Sequence, residues 1–137
     1  MWIAALHRVC LDNTLFLPSF PISDMSDLEL ERAAVAPRRW IELCSASQKH
    51  PNEVGPVVPY PRTTRIIKDA AQPHLFIVPG GRYLVSAGNG LFVWDLGYVP
   101  TAECKLVASV GVGSDFMFCE VQGTADGMGL VILTSYR

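Results

Sequence analysis

Pro79-Gly-Gly-Arg-Tyr-Leu-Val-Ser-Ala-Gly-Asn-Gly-Leu-Phe-Val-Trp-Asp-Leu96 is the stretch on which the fold of this 137-residue chain turns. Proline presets φ and glycine tolerates positive φ, so Pro79-Gly80-Gly81 separates one strand from the next. Gly88-Asn89-Gly90 repeats the signal. Asn-Gly between apolar runs is a strong hairpin signal, and it predicts residues 82–87 and 91–96 as antiparallel neighbours. In the second run Leu91 and Val93 face one way while Phe92, Trp94 and Leu96 face the other, so both faces call for cover. A sheet with one wet face would alternate polar and apolar residues. A small meander covered on both faces suits a propeller blade, packed between neighbouring blades, or an inner strand of a β-sandwich.

Downstream, residues 97–103 form a loop and residues 104–110 a strand beside 91–96. Lys105 and Ser109 make one of its faces polar enough for an outermost position. After a turn at 111–115, residues 116–121 are apolar on both faces, and Asp126-Gly127 makes a further hairpin into 129–135. Gly81-x-x-Leu84-Val85 recurs as Gly127-x-x-Leu130-Val131, 46 residues on, near the roughly 40–45 residues of a four-stranded blade. The pattern reads as one complete blade and half of the next. Such a fragment leaves 129–135 as an unfinished apolar edge, and the chain made alone is expected to aggregate, co-assemble or pack loosely.

Upstream, residues 75–78 lead into the blade and the β-rich segment 63–68 is expected as an edge strand. Residues 48–62 are rich in proline and poor in packing residues, which marks a linker. Before it the pattern is helical. Trp2, Ile3, Leu6, Val9 and Cys10 form a stripe over residues 2–12, with Asn13 placed to cap its end. Leu15-Phe-Leu-Pro-Ser-Phe-Pro-Ile22 cannot be helical throughout and reads as an apolar strap; its Pro-x-x-Pro spacing also fits an SH3 ligand. Ser26-Asp-Leu-Glu29 is a capping box opening a helix over 27–35, although Ser26 could also be phosphorylated. Pro37 ends that helix or opens a second over 38–47, with Trp40, Ile41 and Cys44 on one face. Two short helices at an angle are expected. The domain reading is a helical segment at 1–50, a linker at 51–62 and partial blades at 63–137, an α+β fold.

The chain is half hydrophobic with a formal charge of −2, and its mean hydropathy is +0.26. No basic field favours nucleic acid. No apolar run approaches the roughly 20 residues of a membrane span, and Met1-Trp-Ile-Ala-Ala-Leu-His-Arg lacks a basic lead-in. An intracellular chain, cytoplasmic or nuclear, is the expectation. Cys10, Cys44, Cys104 and Cys119 sit apart in apolar runs, as reduced core thiols would. His7-x-x-Cys10 with Cys44 or His50 is a thin basis for zinc, so no metal and no cofactor are expected.

The blade stretch resembles a WD repeat, whose pattern carries a turn of Pro-Asp-Gly type and closes on Trp-Asp. Leu6-His-Arg-Val-Cys, Leu15-Phe-Leu-Pro-Ser-Phe-Pro, Met25-Ser-Asp-Leu-Glu-Leu-Glu-Arg-Ala-Ala and Ala36-Pro-Arg-Arg-Trp resemble the segment after the F-box in fungal F-box proteins with degenerate propeller domains. The resemblance implies a buried tetrad in which Ser86 and Trp94 hold their usual places, Asn89 replaces the turn aspartate, and Asp95 completes the Trp-Asp pair. His74 lies too near Pro79 to supply the histidine. An F-box would precede Met1, which leaves adaptor binding by this chain in doubt.

No nucleophile–base pair, carboxylate pair or phosphate loop stands out, since Gly111-Val-Gly-Ser114 lacks the lysine and helix of a P-loop. The expected function is therefore a non-catalytic protein-interaction module, part of a substrate-recognition protein of a ubiquitin ligase. Its binding loops would be 88–90 and 97–103. The alternative is a truncated gene product with no autonomous function.

Overall fold

The computed structural model describes residues 1–49, 67, 74–99 and 101–136, with the side chains at 46–49, 112, 114, 118, 119 and 136 excepted. The expected linker at 51–62 and edge strand at 63–68 lie outside the described residues, apart from Ile67. Two compact units emerge: residues 1–9 with 22–65, and residues 10–21 with 66–137. The fold is α+β, with helices in the N-terminal part and a curled antiparallel sheet. Residues 10–21 group with the sheet.

Helix α1 spans Trp2–Asp12, as its stripe predicts. Leu15 N–H donates to Cys10 O at 2.8 Å and Thr14 N–H to Leu11 O at 3.4 Å, the two bonds of a Schellman end. Asn13 is thus the last half-helical residue. The left-handed position falls one residue later, on Thr14 at φ +53°.

Helix α2 runs Asp27–Lys49 and opens on the expected capping box. Ser26 N–H donates to Glu29 Oε2 at 2.8 Å, and Glu29 N–H to Ser26 Oγ at 3.4 Å. The Ser26 hydroxyl, which donates to Glu29 Oε2 at 2.6 Å, and then the Ser26 amide hold the Glu29 carboxyl below its usual range. Two helices separated at Pro37 were expected; instead a single helix continues through it. Proline removes one ladder bond, the one its own N–H would give to Ala33 O, at a cost of about 3 kcal/mol. The good helix formers on either side, Glu, Arg, Leu and Ala, keep the ladder going. Leu30, Ala33 and Ala34 are buried before Pro37, whereas Trp40, Ile41 and Leu43 beyond it are more than half exposed. The stripe drawn through Trp40, Ile41 and Cys44 is therefore not a buried face.

In the second unit the sheet runs in the order β1-β2-β3-β4, with each neighbouring pair antiparallel: β1 His74–Ile77, β2 Tyr83–Asp95, β3 Lys105–Gly123 and β4 Leu130–Tyr136. β2 is folded on itself. Extended, its 13 residues would span about 43 Å, yet Leu96 N–H donates to Arg82 O at 2.8 Å. The chain must reverse at residues 88–90, as the glycines predict. The turn is not the primed Asn-Gly type, because Gly90 takes positive φ (+128°) and Asn89 does not. The first arm, 84–87, lies against β1. The second arm, 91–95, lies against 105–110 of β3.

β3 also turns back. Leu91 faces Val110 but Asn89 faces Asp115, so residues 111–114 are extra on that strand. Gly111 adopts φ +62°, and the Phe116 ring sits 2.6 Å from where a Cβ there would lie. Residues 116–123 then pair with β4, joined through the Thr124–Gly129 turn by Thr124 N–H to Gly129 O at 2.9 Å. Four extended runs therefore form a blade-like meander, followed by a two-stranded pair. Val78, Leu84, Val85, Ser86, Ala87 and Trp94 are its buried centre.

Candidate functional site

The β2 reversal brings Trp94 within hydrogen-bond reach of Ser86. The indole Nε1–H donates to Ser86 Oγ at 3.0 Å, with Ser86 fully buried and Trp94 8% exposed. A buried indole N–H without a partner would cost about 1–3 kcal/mol, so the serine at this register settles how the ring sits. Of the four residues singled out by sequence, these two meet. Asn89 is instead exposed at the tip of β2, opposite Asp115.

Asp95 lies at the other end and forms a contact that sequence reading missed. Arg82 grips it as a fork, Nε to Oδ1 at 2.9 Å and Nη2 to Oδ2 at 2.7 Å, while Gly97 N–H donates to Oδ1 at 2.7 Å. The Arg82 bonds hold the Asp95 carboxyl below its ordinary range, and Asp95 in turn holds the Arg82 guanidinium above its own. The guanidinium also lies 5.2 Å from the Tyr83 ring centre. The signal was in the sequence: opposite charges at the two ends of a predicted hairpin meet once it closes.

Beside this fork runs a groove of about 360 Å³ lined by Pro21, Arg82, Asp95, Tyr98, Glu103 and Lys105. It incorporates one of the two loops expected to bind partners. Tyr98 in its lining and Val99, the next residue in the chain, are both exposed. The other expected loop, 88–90, presents only Asn89, because Gly88 and Gly90 are buried.

At the turn end of the sheet the predicted strap is docked. Phe16 N–H donates to Pro79 O at 2.9 Å and Leu17 N–H to Gly127 O at 3.0 Å. Arg82 Nη1 reaches Pro18 O at 3.4 Å. Phe16 and Phe20 meet Tyr83 and Tyr98 edge-on, at 5.6 and 6.4 Å between ring centres. Ser19 is wholly buried on Gly80, which adopts φ +113°, and its Oγ has no hydrogen-bond partner. Next to the strap, Cys10, Leu15, Pro79, Gln122, Gly127 and Leu130 line a cleft of about 410 Å³. Burial pushes the Cys10 thiol up.

No family model, curated protein or solved structure matches this chain. Among the described residues, no three His, Cys, Asp or Glu side chains gather where one metal ion could be held. Of the residues considered for zinc, Cys10 is buried, Cys44 is exposed, and His50 lies outside the described residues. Among the described residues no helix is long and apolar enough to cross a membrane.

Proposed function

We propose that the chain is a non-catalytic protein-interaction module acting inside the cell, of the kind in which an F-box protein with WD-like blades presents a target to a ubiquitin ligase. The observation that carries this reading is the groove beside the Arg82–Asp95 fork, with Tyr98 in its lining exposed and followed in the chain by exposed Val99. A fork tied at both carboxylate oxygens fixes one wall, while an exposed aromatic and an exposed aliphatic side chain offer anchors of the type that dominate protein interfaces. The helical segment adds its likeness to the region that follows an F-box.

The test is proximity labelling with the chain expressed in cells, comparing wild type with Tyr98→Ala/Val99→Asp. Loss of a defined set of labelled proteins, with an unchanged far-UV spectrum, supports the reading. Presence of a cullin–RING scaffold in that set supports its ligase part. An identical labelled set from both chains overturns the groove as the binding surface.

A second reading, an incomplete product without function of its own, draws on β4. Val131 and Leu133 are half exposed on this uncharged strand, and apolar strands of this kind recruit other chains. A single monomeric peak on size exclusion, with one cooperative thermal transition, would exclude it.

A further inference from the structure

We propose that residues 15–20 are a releasable latch: the strap lifts from the turn end of the sheet as a unit, without unfolding the sheet, and in doing so opens the cleft lined by Leu15, Pro79 and Gly127. Its attachment is small and peripheral. Two backbone bonds hold it, one to Pro79 O and one to Gly127 O, with a long contact from Arg82 and two edge-on ring contacts. Phe16, Leu17, Pro18 and Phe20 are only partly buried, whereas Leu84, Val85, Ser86 and Ala87 in β2 are fully buried. Segments with few buried apolar contacts open at a fraction of the global free energy.

Ser19 weakens the docked state further. Its hydroxyl is buried with no partner, so docking strips it of water and returns nothing, while lifting rehydrates it. The wedge on Gly80 fixes the seat: with a Cβ at 80 only 2.6 Å from Ser19 Cβ and Oγ, the residue beneath must be glycine and the residue above must be small. Three of the residues that line the cleft belong to the strap or to its two acceptors, so the cleft's wall moves when the strap does.

The test is native-state hydrogen exchange of the full chain, reading the Phe16 and Leu17 amides against Val85, together with alkylation of Cys10 by iodoacetamide read by mass spectrometry. Phe16 and Leu17 should exchange faster than Val85. Ser19→Ala should slow both by about fivefold, the factor that accompanies relief of one orphaned hydroxyl, leave Val85 unchanged, and slow Cys10 alkylation to the same degree. Phe16→Ala, which removes the contact with Tyr83, should speed Leu17 exchange and Cys10 alkylation and again spare Val85. Equal exchange of Leu17 and Val85 in the wild type, or a shift in all three amides in Ser19→Ala, refutes independent release. Amide changes without any change at Cys10 refute the opening of the cleft.

Discussion

Removing the hydroxyl of Ser86 tests whether the Trp94–Ser86 bond organises the sheet. Ser86→Ala deletes the acceptor of the Trp94 Nε1–H bond, 3.0 Å away in a site where Ser86 is fully buried. The indole N–H is then stranded, at a cost of about 1–3 kcal/mol. Trp94→Phe removes the donor and part of the ring, and the lost volume and the stranded serine together cost about 2–4 kcal/mol. In the double variant neither partner is orphaned, so its destabilisation should fall short of the summed single effects by about 1–2 kcal/mol. Urea unfolding followed by far-UV circular dichroism reads this without relying on the missing fluorophore. With a slope of about 1–3 kcal/mol/M, the Ser86→Ala midpoint should drop by roughly 0.3–3 M. A Ser86→Ala midpoint equal to wild type, or strictly additive singles, would show that the bond contributes nothing to the sheet.

Asp95 gives a pH dependence. Because Arg82 lowers its folded-state pKa, its contribution is complete above the unfolded carboxylate value, near 3.9, and disappears as pH falls through the lowered folded value. Asp95→Asn should flatten the acid limb of a melting-temperature profile between roughly pH 5 and 2; an unchanged slope would show that the fork is not coupled to folding. Thr14 occupies the left-handed region at φ +53°, where a side chain costs roughly 1–2 kcal/mol. Thr14→Gly should therefore raise stability by about 0.5–1 kcal/mol after glycine's own entropy loss, and a loss on chemical unfolding would contradict the assignment of the helix end. Leu133, 53% exposed on β4, is the place for a charge: Leu133→Lys should lower light scattering at high protein concentration, and equal scattering would clear β4 of a role in self-association.

Local signals were legible in the sequence. The α1 stripe, the Ser26–Glu29 box and the glycines at 88–90 act over a few residues, so their bonds form wherever the chain is placed. The order of the meander follows from such turns, and with it the meeting of Ser86 and Trp94. Three features were hidden because the preference of the single residue or short segment did not decide them. Pro37 breaks an isolated helix, but the ladder on both sides of it outweighed the one missing bond. The strap's destination depended on the free carbonyls of Pro79 and Gly127, which no pattern near residue 16 announces. Asn89 looks like a substitute for a buried turn aspartate, yet a position at the tip of β2 leaves it in solvent, because the reversal buries the flanking glycines instead.

The docking of the strap on Pro79 and Gly127 sets a timetable for synthesis. Leu17 leaves the ribosome 110 residues before its acceptor at Gly127. At roughly 5–20 residues per second, that is an interval of about 6–22 s. Leu17 lacks its acceptor throughout it, and Phe16 and Phe20 lack theirs until Pro79, Tyr83 and Tyr98 have been made, while α1 and the start of α2 can already close their own hydrogen bonds. The last backbone bond of the strap therefore waits for the Thr124–Gly129 turn to be translated.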